Sequence, residues 1–378
     1  MNFDFTNEQN MVKQSIEEFV QNEIEPIAEE IDREHRFPRE TIKKLGKNGF
    51  LAIPFPVEYG GAGGDTISKN IVIEEIAKKC GATAAIVSVH YLPINLILKF
   101  GTKEQKEKYV AKLASGEHIG AFALTEPNAG SDASNVQTTA VLDGDEYILN
   151  GSKCFITNGG EADTYVILAM TDKSAGTRGM SAFIVEKDTP GFSIGKIEDK
   201  MGICASSTAE LIFENCRIPK ENLLGKEGQG FKLAMVGLDS GRIGMASQAL
   251  GLAEGALEET IKYLKEREQF GKPLIKFQGL QWYLADMHSR IEASRWLIYH
   301  ASYLEQTGKP FTKEAATAKL IGSETAMYVT HKAVQMHGGY GFMKDYPLER
   351  MMRDAKITEI YEGTSEIMKI VIASQITR

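Results

Sequence analysis

The sequence has few cysteines, and none of them form the short pairs that bind metals or carry redox chemistry. Only four occur in 378 residues, at the widely separated positions Cys80, Cys154, Cys204 and Cys216. This usage is typical of a reducing compartment and argues against a disulfide scaffold. The seven histidines show no metal-ligand spacing such as H-E-x-x-H. The sequence therefore predicts no metal site.

The chain also lacks the charge pattern of a nucleic-acid-binding protein and the long apolar run of a membrane protein. Its net charge is −8, with both signs spread along the chain and no basic arm. No apolar run approaches the ~20 residues that a membrane helix needs. The N-terminal segment has the features of neither a signal peptide nor a transit peptide. We expect a cytoplasmic protein without a membrane span, although a matrix protein trimmed of its leader would look the same.

Nucleotide-binding and hydrolase fingerprints are missing as well. The segment GGAGGD (Gly60–Asp65) lacks the Lys-Ser/Thr of a phosphate loop, and no G-x-G-x-x-G occurs. GFSIG (Gly191–Gly195) matches a nucleophile elbow, but no helical pattern follows it, as that motif requires. We therefore expect Ser193 to lie in an ordinary strand or turn.

What the chain does contain is a change of hydrophobic period along its length. Residues 1–118 have helical periodicity: an apolar stripe is interrupted at Pro26, and Thr102 and Gln105 have the spacing of a capping box. Residues 119–225 contain short β-branched runs separated by turns, and Asn150-Gly151 predicts a hairpin. Residues 226–378 are helical again. The predicted fold is α+β, with a central β-domain between two helical domains. The helical stripes are Ile16, Val20, Ile24, Ile27 and Ile31 at the start, and Ile243, Ala246, Leu250, Ala253, Leu257, Ile261 and Leu264 near the end.

One carboxylate has an unusual setting, in the segment ITEIYEGTSEI (Ile357–Ile367). Glu362 lies between an aromatic residue and Gly363, and Thr364 can cap a following helix with Glu366 in its first turn. A carboxylate beside apolar surface has a raised pKa, which suits a general base. From this pattern alone, Glu359 and Glu366 are equally plausible, and a solvated glutamate is the more common case.

Seven motifs make the sequence similar to the acyl-CoA dehydrogenase family over essentially its whole length. The resemblance is greatest to the short-chain, butyryl-CoA group of anaerobic bacteria. The motifs occur in family order and spacing: LTEPNAGSD (Leu124–Asp132), NGSKCFITN (Asn150–Asn158), ENCRIPKENLLGKEGQGF (Glu214–Phe231), REQFGKPLIKFQ (Arg267–Gln278), QMHGGYGF (Gln335–Phe342), RMMRDAKI (Arg350–Ile357) and IYEGTSEI (Ile360–Ile367).

The resemblance implies a fold and a cofactor. The family has an N-terminal helical domain, a small central β-barrel and a C-terminal four-helix bundle, and it binds FAD without a Rossmann fold. It implies that FAD is shared between two subunits of a dimer of dimers. The residues implied to bind FAD are Phe122, Leu124, Thr125, Phe155, Thr157, Arg267, Gln269, Phe270, Gln278, Gln335, Gly338, Gly339, Thr364 and Glu366.

The resemblance also implies the reaction. A short acyl-CoA is converted to the trans-2-enoyl-CoA, or the reverse, with Glu362 as the base for the α-proton and flavin N5 as the hydride acceptor. Electrons pass to an electron-transferring flavoprotein. Some members carry their base on the helix before RIGMASQ; Gly241 occupies that position here, so Glu362 must serve. The implied substrate residues are Ser131, Phe231, Met235, Asp239, Arg242, Tyr361 and Gly363. Without the resemblance, Arg242 is equally a surface arginine, and Phe231 and Met235 are equally core residues.

Two departures from close relatives bear on specificity. Cys204 replaces the usual arginine, and we expect a packed rather than a reactive thiol. The segment Ser88–Gly101 is one residue shorter and carries the bulkier Tyr91 and Leu92, on the helix that closes the acyl pocket in the family. A branched or aryl acyl group is therefore an alternative substrate. Acyl-CoA oxidases, flavin monooxygenases and a non-catalytic partner protein on the same fold are further alternatives.

Overall fold

The computed structural model describes residues 4–377, and its N-terminal part is helical. The predicted first stripe is confirmed, since Ile16, Val20, Ile24 and Ile31 are buried. Pro26 lies in a short 3-10 turn that separates two α-helices, because proline cannot continue the α-helical hydrogen bonds. The helices are α1 (Asn7–Phe19), α2 (Ala28–Arg33), α3 (Arg39–Lys47), α4 (Thr66–Ala77), α5 (Gly81–Phe100) and α6 (Lys103–Ala114).

The start of α6 has the predicted capping box. The Gln105 amide donates to Thr102 Oγ1 at 3.3 Å, and the Thr102 amide donates to Gln105 Oε1 at 3.0 Å. These two bonds satisfy amide groups that the first helical turn leaves without partners.

The helix α5 corrects one expectation from the sequence. We expected no apolar run of membrane-spanning length, but the 20 residues of α5 are long and apolar enough to cross a membrane. Nearly all of α5 is buried inside the chain, between α4, α6 and α7. Its apolar character on every side follows from this central position in the core.

The middle part is an eight-stranded sheet. Its hydrogen-bonded order is β6-β7-β3-β2-β4-β5-β8, and β1 pairs with β4 in parallel. Ser193 lies on the exposed side of β6, so the hydrolase alternative is wrong, as expected. The strands are β1 (Gly120–Ala123), β2 (Thr139–Asp143), β3 (Glu146–Thr157), β4 (Thr164–Met170), β5 (Met180–Glu186), β6 (Phe192–Ile197), β7 (Thr208–Pro219) and β8 (Leu223–Leu224).

The hairpin predicted at Asn150-Gly151 is wrong. The turn between β2 and β3 lies earlier, at Gly144, and β3 continues straight through Asn150. The pairing of β3 with β7 shifts register between Leu149 and Gly151, which marks a bulge. A Cβ at Gly151 would lie 2.7 Å from Thr138 Oγ1. Glycine is therefore needed here because Thr138 packs closely against the backbone, and not because the chain turns.

The C-terminal part is a helical bundle, as predicted. The long α9 packs against α7, α8, α10 and α11. The predicted stripe of α7 is buried, except that Ile261 is half-buried. The elements are α7 (Gly230–Glu266), the two-residue strands β9 (Glu268–Gln269) and β10 (Lys272–Pro273), α8 (Gln278–Gln306), α9 (Thr312–His337), α10 (Leu348–Ile357) and α11 (Ser365–Ile376).

The helix–sheet–helix order confirms the predicted three-part fold. The connections between the parts run from Ala114 to Gly120 and from Leu224 to Gly230. The predicted domain boundaries, after residues 118 and 225, fall within those connections. Their exact positions remain predictions.

Candidate active site

Glu362 lies at a junction between two helices. The helix α10 ends at Ile357, and Thr364 caps α11 by accepting a hydrogen bond from the Ile367 amide at 3.3 Å. Glu362 itself has a left-handed backbone with φ of 53°, and Gly363 follows with φ of 104°. A left-handed backbone is rare for a residue with a side chain, and it clusters at functional sites. Here it turns Glu362 off the axis of both helices.

The carboxyl group of Glu362 is left without hydrogen-bond partners on one side. The residue is half-buried, and its Oε2 atom is buried with no partner among residues 4–377. Burial raises the pKa of Glu362 to about 7, and the charges of Arg242, Lys319 and Lys69 oppose that shift only in part. A carboxyl group with this pKa exchanges a proton readily near neutral pH.

The surrounding cations contact the backbone beside Glu362. Lys319 donates to the Gly363 carbonyl at 2.6 Å, and Arg242 Nε lies 3.5 Å from the Glu362 carbonyl oxygen. Arg242 also pairs with Asp239 at 2.7 Å, so this arginine is buried and is no surface residue. These contacts hold the junction in place while leaving the carboxyl oxygens available.

Gly241 on α7 faces the Glu362 carboxyl group directly. A Cβ built at Gly241 would lie 2.1 Å from Glu362 Oε2. A side chain at position 241 and the side chain of Glu362 would therefore occupy the same place, and only Glu362 provides a carboxylate there. Glu359 instead pairs with Lys356, and Glu366 is exposed, so neither competes for this place.

Tyr361 fixes the other side of the junction. Its hydroxyl donates to Gln248 Oε1 on α7, and its ring packs against the core. Burial raises the pKa of Tyr361 well above its ordinary value, so the hydroxyl stays protonated. Tyr361 therefore anchors the segment and does not act as a second base.

A small cavity lies beside Gly241, between α4, α5 and α7. Its free volume is about 10 Å³. Tyr91 and Leu92, the two bulky residues noted in the sequence, line it. The sequence analysis missed the polar lining, which comprises Lys69, Ser88, Asn95 and Ser240. No local signal marks these residues, because tertiary packing decides which side chains of α4, α5 and α7 face one another.

The predicted FAD residues of the β-domain lie close together. The Cys154 amide donates to the Thr125 carbonyl at 3.0 Å, which joins β3 to the segment after β1. Next to it, Phe155 is 64% exposed and has a φ of 57°. Leu124 is buried, while Phe122, Thr125 and Thr157 are half-buried. An exposed aromatic ring beside hydroxyl and backbone groups fits a flat ring such as that of a flavin.

A second group of predicted FAD residues lies at the far end of the bundle, on its surface. Phe270 is 93% exposed with a φ of 54°, and a Cβ at Gly338 or Gly339 would meet nothing within 4 Å. The Arg267 guanidinium lies 5.7 Å from the ring of Tyr340, which follows these glycines. Gln269, Gln278 and Gln335 are also exposed. Glycines with free space around their backbone, together with the exposed Arg267, are suited to contact a phosphate group bound to another molecule.

The remaining predicted substrate residues are farther from the base. Ser131 is exposed in the connection between β1 and β2. Phe231 and Met235 are half-buried in the first turns of α7, and helix rise places them about 15 and 9 Å from Gly241 along the axis. The structure thus brings Asp239, Arg242, Tyr361 and Gly363 together at Glu362, and does not bring Ser131 there.

Neither the cysteines nor the acidic residues form a further reactive centre in the described part of the chain. Burial raises the pKa of the Cys204 thiol to about 11, and its Sγ lies 3.5 Å from the Lys200 carbonyl. This thiol is packed, as predicted. Within residues 4–377 no group of three or more His, Cys, Asp or Glu residues could hold a metal ion.

Comparison with known proteins agrees with this architecture. Three family models match in succession: acyl-CoA dehydrogenase, N-terminal domain (residues 6–117), middle domain (residues 121–216) and C-terminal domain (residues 228–377). The short-chain specific acyl-CoA dehydrogenase of Clostridium acetobutylicum is 60% identical over the full length of both chains.

Two solved structures superpose closely on the whole chain. Butyryl-CoA dehydrogenase from Megasphaera elsdenii is 49% identical, with a TM-score of 0.99 and full coverage of both chains. A chain from a study of the electron-transferring flavoprotein of Acidaminococcus fermentans and flavin-based electron bifurcation is 57% identical, also with a TM-score of 0.99 and full coverage. With all three domains matched in order and a relative 60% identical over its full length, the chain belongs to the acyl-CoA dehydrogenase family.

Proposed function

We propose that this enzyme catalyses FAD-dependent α,β-dehydrogenation of a short-chain, butyryl-like acyl-CoA to the trans-2-enoyl-CoA, or the reverse reaction. The observation that carries the proposal is the Glu362 carboxyl group. It has a buried oxygen without a hydrogen-bond partner, a pKa of about 7, and a small cavity beside it.

Glu362 acts as the base for the α-proton. The C–H bond next to a thioester is weakly acidic, so a carboxylate must stand close to it in the right protonation state. A pKa of about 7 keeps a large fraction of Glu362 ionised at neutral pH while making it a stronger base than a solvated glutamate. In the reverse direction the same carboxyl group returns the proton to the α-carbon.

The Glu362 backbone can polarise the substrate carbonyl. Among residues 4–377 no protein acceptor takes a hydrogen bond from the Glu362 amide. A donor of this kind, aimed at the thioester oxygen, stabilises the negative charge that develops when the α-proton leaves. The left-handed backbone at Glu362 supports this role because it holds both the amide and the carboxyl group off the helix axes.

When bound, FAD supplies the two-electron redox chemistry that protein side chains lack. In the overall change, the C–H bonds at the α- and β-carbons break and the C=C bond forms. The α-proton goes to Glu362, and the β-hydrogen leaves with the electron pair. The residues proposed to hold FAD are Phe122, Leu124, Thr125, Phe155 and Thr157 from the β-domain, with Thr364 and Glu366 beside the base.

A neighbouring subunit completes the cofactor site in this proposal. Arg267, Gln269, Phe270, Gln278, Gln335, Gly338 and Gly339 would reach the phosphates and adenosine of a partner's FAD. Their exposure supports the proposal, since Phe270 is 93% exposed and its ring makes only an edge contact with that of Phe277. We propose a dimer of dimers on this ground.

The CoA portion and the acyl chain occupy the two sides of Glu362. Ser131, Asp239 and Arg242 are proposed to hold CoA, and Phe231 and Met235 to border the substrate. Tyr361 and Gly363 position the base. The cavity closed by Tyr91 and Leu92 supports a short acyl chain, because bulky side chains stop the pocket close to Gly241.

We propose an electron-transferring flavoprotein as the redox partner and the cytoplasm as the location. The proposed partner draws support from the 57% identity to a chain studied with the electron-transferring flavoprotein of Acidaminococcus fermentans. The same residues serve oxidation of the saturated thioester and reduction of the unsaturated one, so the direction follows from the partner's potential.

An anaerobic titration of the purified holoenzyme with butyryl-CoA tests the function. We expect the visible flavin absorbance to bleach with stoichiometric thioester in the wild type, and to remain in Glu362→Gln. Bleaching only by a branched or aryl-propionyl thioester would keep the reaction class and change the acyl group. Rapid reoxidation by oxygen with substrate bound would favour an oxidase, and absence of bleaching by any acyl-CoA would contradict the proposal.

A further inference from the structure

The closed end of the acyl cavity carries a buried lysine. Lys69 on α4 is 4% exposed and lines the cavity that begins at Gly241. A fully buried lysine is rare unless it is paired, because removing its charge from water is costly. The mechanism proposed above gives Lys69 no task at the reacting carbons.

The pairing of Lys69 is loose. Its Nζ atom lies 3.8 Å from Glu305 Oε2, which is beyond hydrogen-bond distance, and no other ion pair of Lys69 occurs within residues 4–377. Glu305 Oε2 is itself buried without a hydrogen-bond partner. The ammonium group of Lys69 thus has donor hydrogens without a protein acceptor in the described chain, and the residue lines the cavity.

Three neighbours of Lys69 in the cavity are also polar and unpaired. Among the described residues, the side chains of Ser88, Asn95 and Ser240 make no hydrogen bond to protein. Three other buried helical serines bond to their own helix, whereas the Ser365 hydroxyl is also without a partner within residues 4–377. Ser247, Ser294 and Ser302 each donate to the carbonyl four residues earlier, at 2.8 to 3.0 Å.

An unbranched alkyl chain gives these four groups nothing to bind. If a bound alkyl chain excludes water from a polar group and offers it no partner, the cost is about 1–3 kcal/mol, and more for a charged group. A hydrogen-bond acceptor placed among them would satisfy several at once. An acceptor oxygen suits the ammonium group, the two hydroxyls and the amide of Asn95 alike.

We propose that Lys69 is a specificity-determining residue, and that the substrate is a short acyl-CoA whose distal carbon carries an acceptor oxygen. This inference rests on the proposed function and refines its substrate. A hydroxyl and a carboxylate share the required chemistry. Glu305 offsets part of the charge of Lys69. A neutral hydroxyl of the substrate can therefore bind there without a further counter-charge. A substrate carboxylate would be attracted by the part of the lysine charge that Glu305 does not offset.

The test compares acyl groups on the holoenzyme. Anaerobic kcat/KM values are measured with an artificial electron acceptor for propionyl-, butyryl-, 4-hydroxybutyryl- and glutaryl-CoA. Wild type is expected to prefer at least one of the two oxygen-bearing thioesters to butyryl-CoA by about tenfold or more, as a hydrogen bond to a charged group implies. Which of the two is preferred distinguishes the hydroxyl from the carboxylate.

Lys69→Met keeps the length of the side chain and removes the donor. We expect it to lower kcat/KM for the preferred oxygen-bearing thioester by at least about tenfold relative to butyryl-CoA. Because the ratio is taken between two substrates, any general effect of the lost charge on Glu362 cancels. Lys79→Met is the matched control: Lys79 follows the same helix and pairs with Glu25 and Glu259, away from the cavity. Its substrate ratio should equal that of wild type.

Asn95→Leu provides a second variant in case Lys69→Met fails to fold. It leaves the lysine in place, and it should also reduce the preference for the oxygen-bearing thioester. A wild type that prefers butyryl- or propionyl-CoA, with ratios unchanged in Lys69→Met or Asn95→Leu, would overturn the inference. Bleaching of the flavin by butyryl-CoA in that case would leave the proposed dehydrogenase function intact.

Discussion

Glu126 is buried and Glu362 is half-buried, and their pKa values shift in opposite directions. Glu126, 5% exposed, accepts from Lys153 at 2.6 Å and from the amides of Gln137 and Thr138 at 2.6 and 3.1 Å. Burial alone would raise its pKa, but the charge of Lys153 and these hydrogen bonds bring it below the ordinary value. Glu362 has cations nearby but no hydrogen bond to Oε2, and its pKa is raised to about 7.

For these two glutamates, hydrogen-bond partners account for the opposite directions of the pKa shifts. At Glu126 both carboxylate oxygens accept hydrogen bonds, and the residue has a structural role. Its partner Lys153 also donates to the Leu124 carbonyl, beside the proposed FAD site. At Glu362 the cations are directed to backbone carbonyls, and the carboxyl oxygens stay available for a proton. Of these two residues, the satisfied carboxylate has a structural role, and the one with a partnerless oxygen is the candidate base.

The largest expected effect comes from removing the reactive carboxylate. Glu362→Gln should lower kcat by about 10⁴-fold, the upper range for a general base, while FAD remains bound. Steady-state kinetics with a dye acceptor and the flavin spectrum measure both. Glu359→Gln is the matched control three residues earlier and should retain activity. Normal turnover in Glu362→Gln would contradict the assignment of the base.

Breaking the satisfied pair should affect stability instead. Lys153→Met leaves a buried carboxylate without its cation, which costs about 3–5 kcal/mol of unfolding free energy. Urea unfolding followed by circular dichroism measures the change. Lys196→Met, on the exposed strand β6, serves as the control and should leave the midpoint unchanged. An unchanged midpoint in Lys153→Met would mean that the amides alone suffice for Glu126.

The pH profile of the oxidation should report the raised pKa of Glu362. Below pH 7 the base is protonated in the free enzyme, so kcat/KM should fall tenfold per unit as pH decreases, and it should level off above pH 7. Burial lowers the pKa of Lys319 to about 8, and near neutral pH this lysine still favours the ionised base.

Lys319→Met should therefore move the acidic limb to higher pH, by about one unit, which corresponds to about 1.4 kcal/mol. Lys313→Met, on the exposed start of the same helix, should leave the limb in place. A limb that stays near pH 7 in Lys319→Met would show that this lysine acts only through the Gly363 carbonyl.

The smallest expected effect is a difference between Glu362 and Glu126 in how the stability of the fold depends on pH. A raised native pKa means that the folded state binds more protons than the unfolded state between pH 4.5 and about 7, so ionised Glu362 lowers stability as pH rises through this window. At pH 8, Glu362→Gln should gain about 1 kcal/mol, after allowance for its partial exposure. The gain should shrink toward pH 5.

Glu126 has the opposite sign. Its lowered pKa contributes stability above the unfolded value, and this is lost as pH falls through the folded value. Glu126→Gln should therefore destabilise the protein most at pH 8. Thermal unfolding of the holoenzyme at pH 5 and pH 8 measures both variants. Equal shifts for the two variants at pH 8 would contradict the comparison.

The sequence predicted the order of the three parts because hydrophobic period is a local property. The stripe of α7, the capping box at Thr102 and the junction at Thr364 follow from residues near one another in the chain. The hairpin predicted at Asn150-Gly151 was wrong because a β-bulge and a hairpin turn use the same residue types. The close approach of Thr138 that distinguishes them is tertiary.

The site was predictable only in part. The position of Glu362 came from a motif, but its partnerless oxygen depends on where the side chains of α7 and α9 point. Tyr91 and Leu92, which the sequence singled out, do line the cavity beside Gly241. Lys69 and Ser240 were missed, because nothing local indicates that α4 and α7 meet at those residues.

The left-handed backbone of Phe155, Phe270 and Glu362 has a consequence for protein engineering. Each of these conformations costs roughly 1–3 kcal/mol for a residue with a side chain, and glycine would relieve it. A redesign that scored only thermal stability would therefore favour glycine at all three positions. It would remove two exposed aromatic rings and the proposed base together, and the more stable chain would lack its proposed catalytic group.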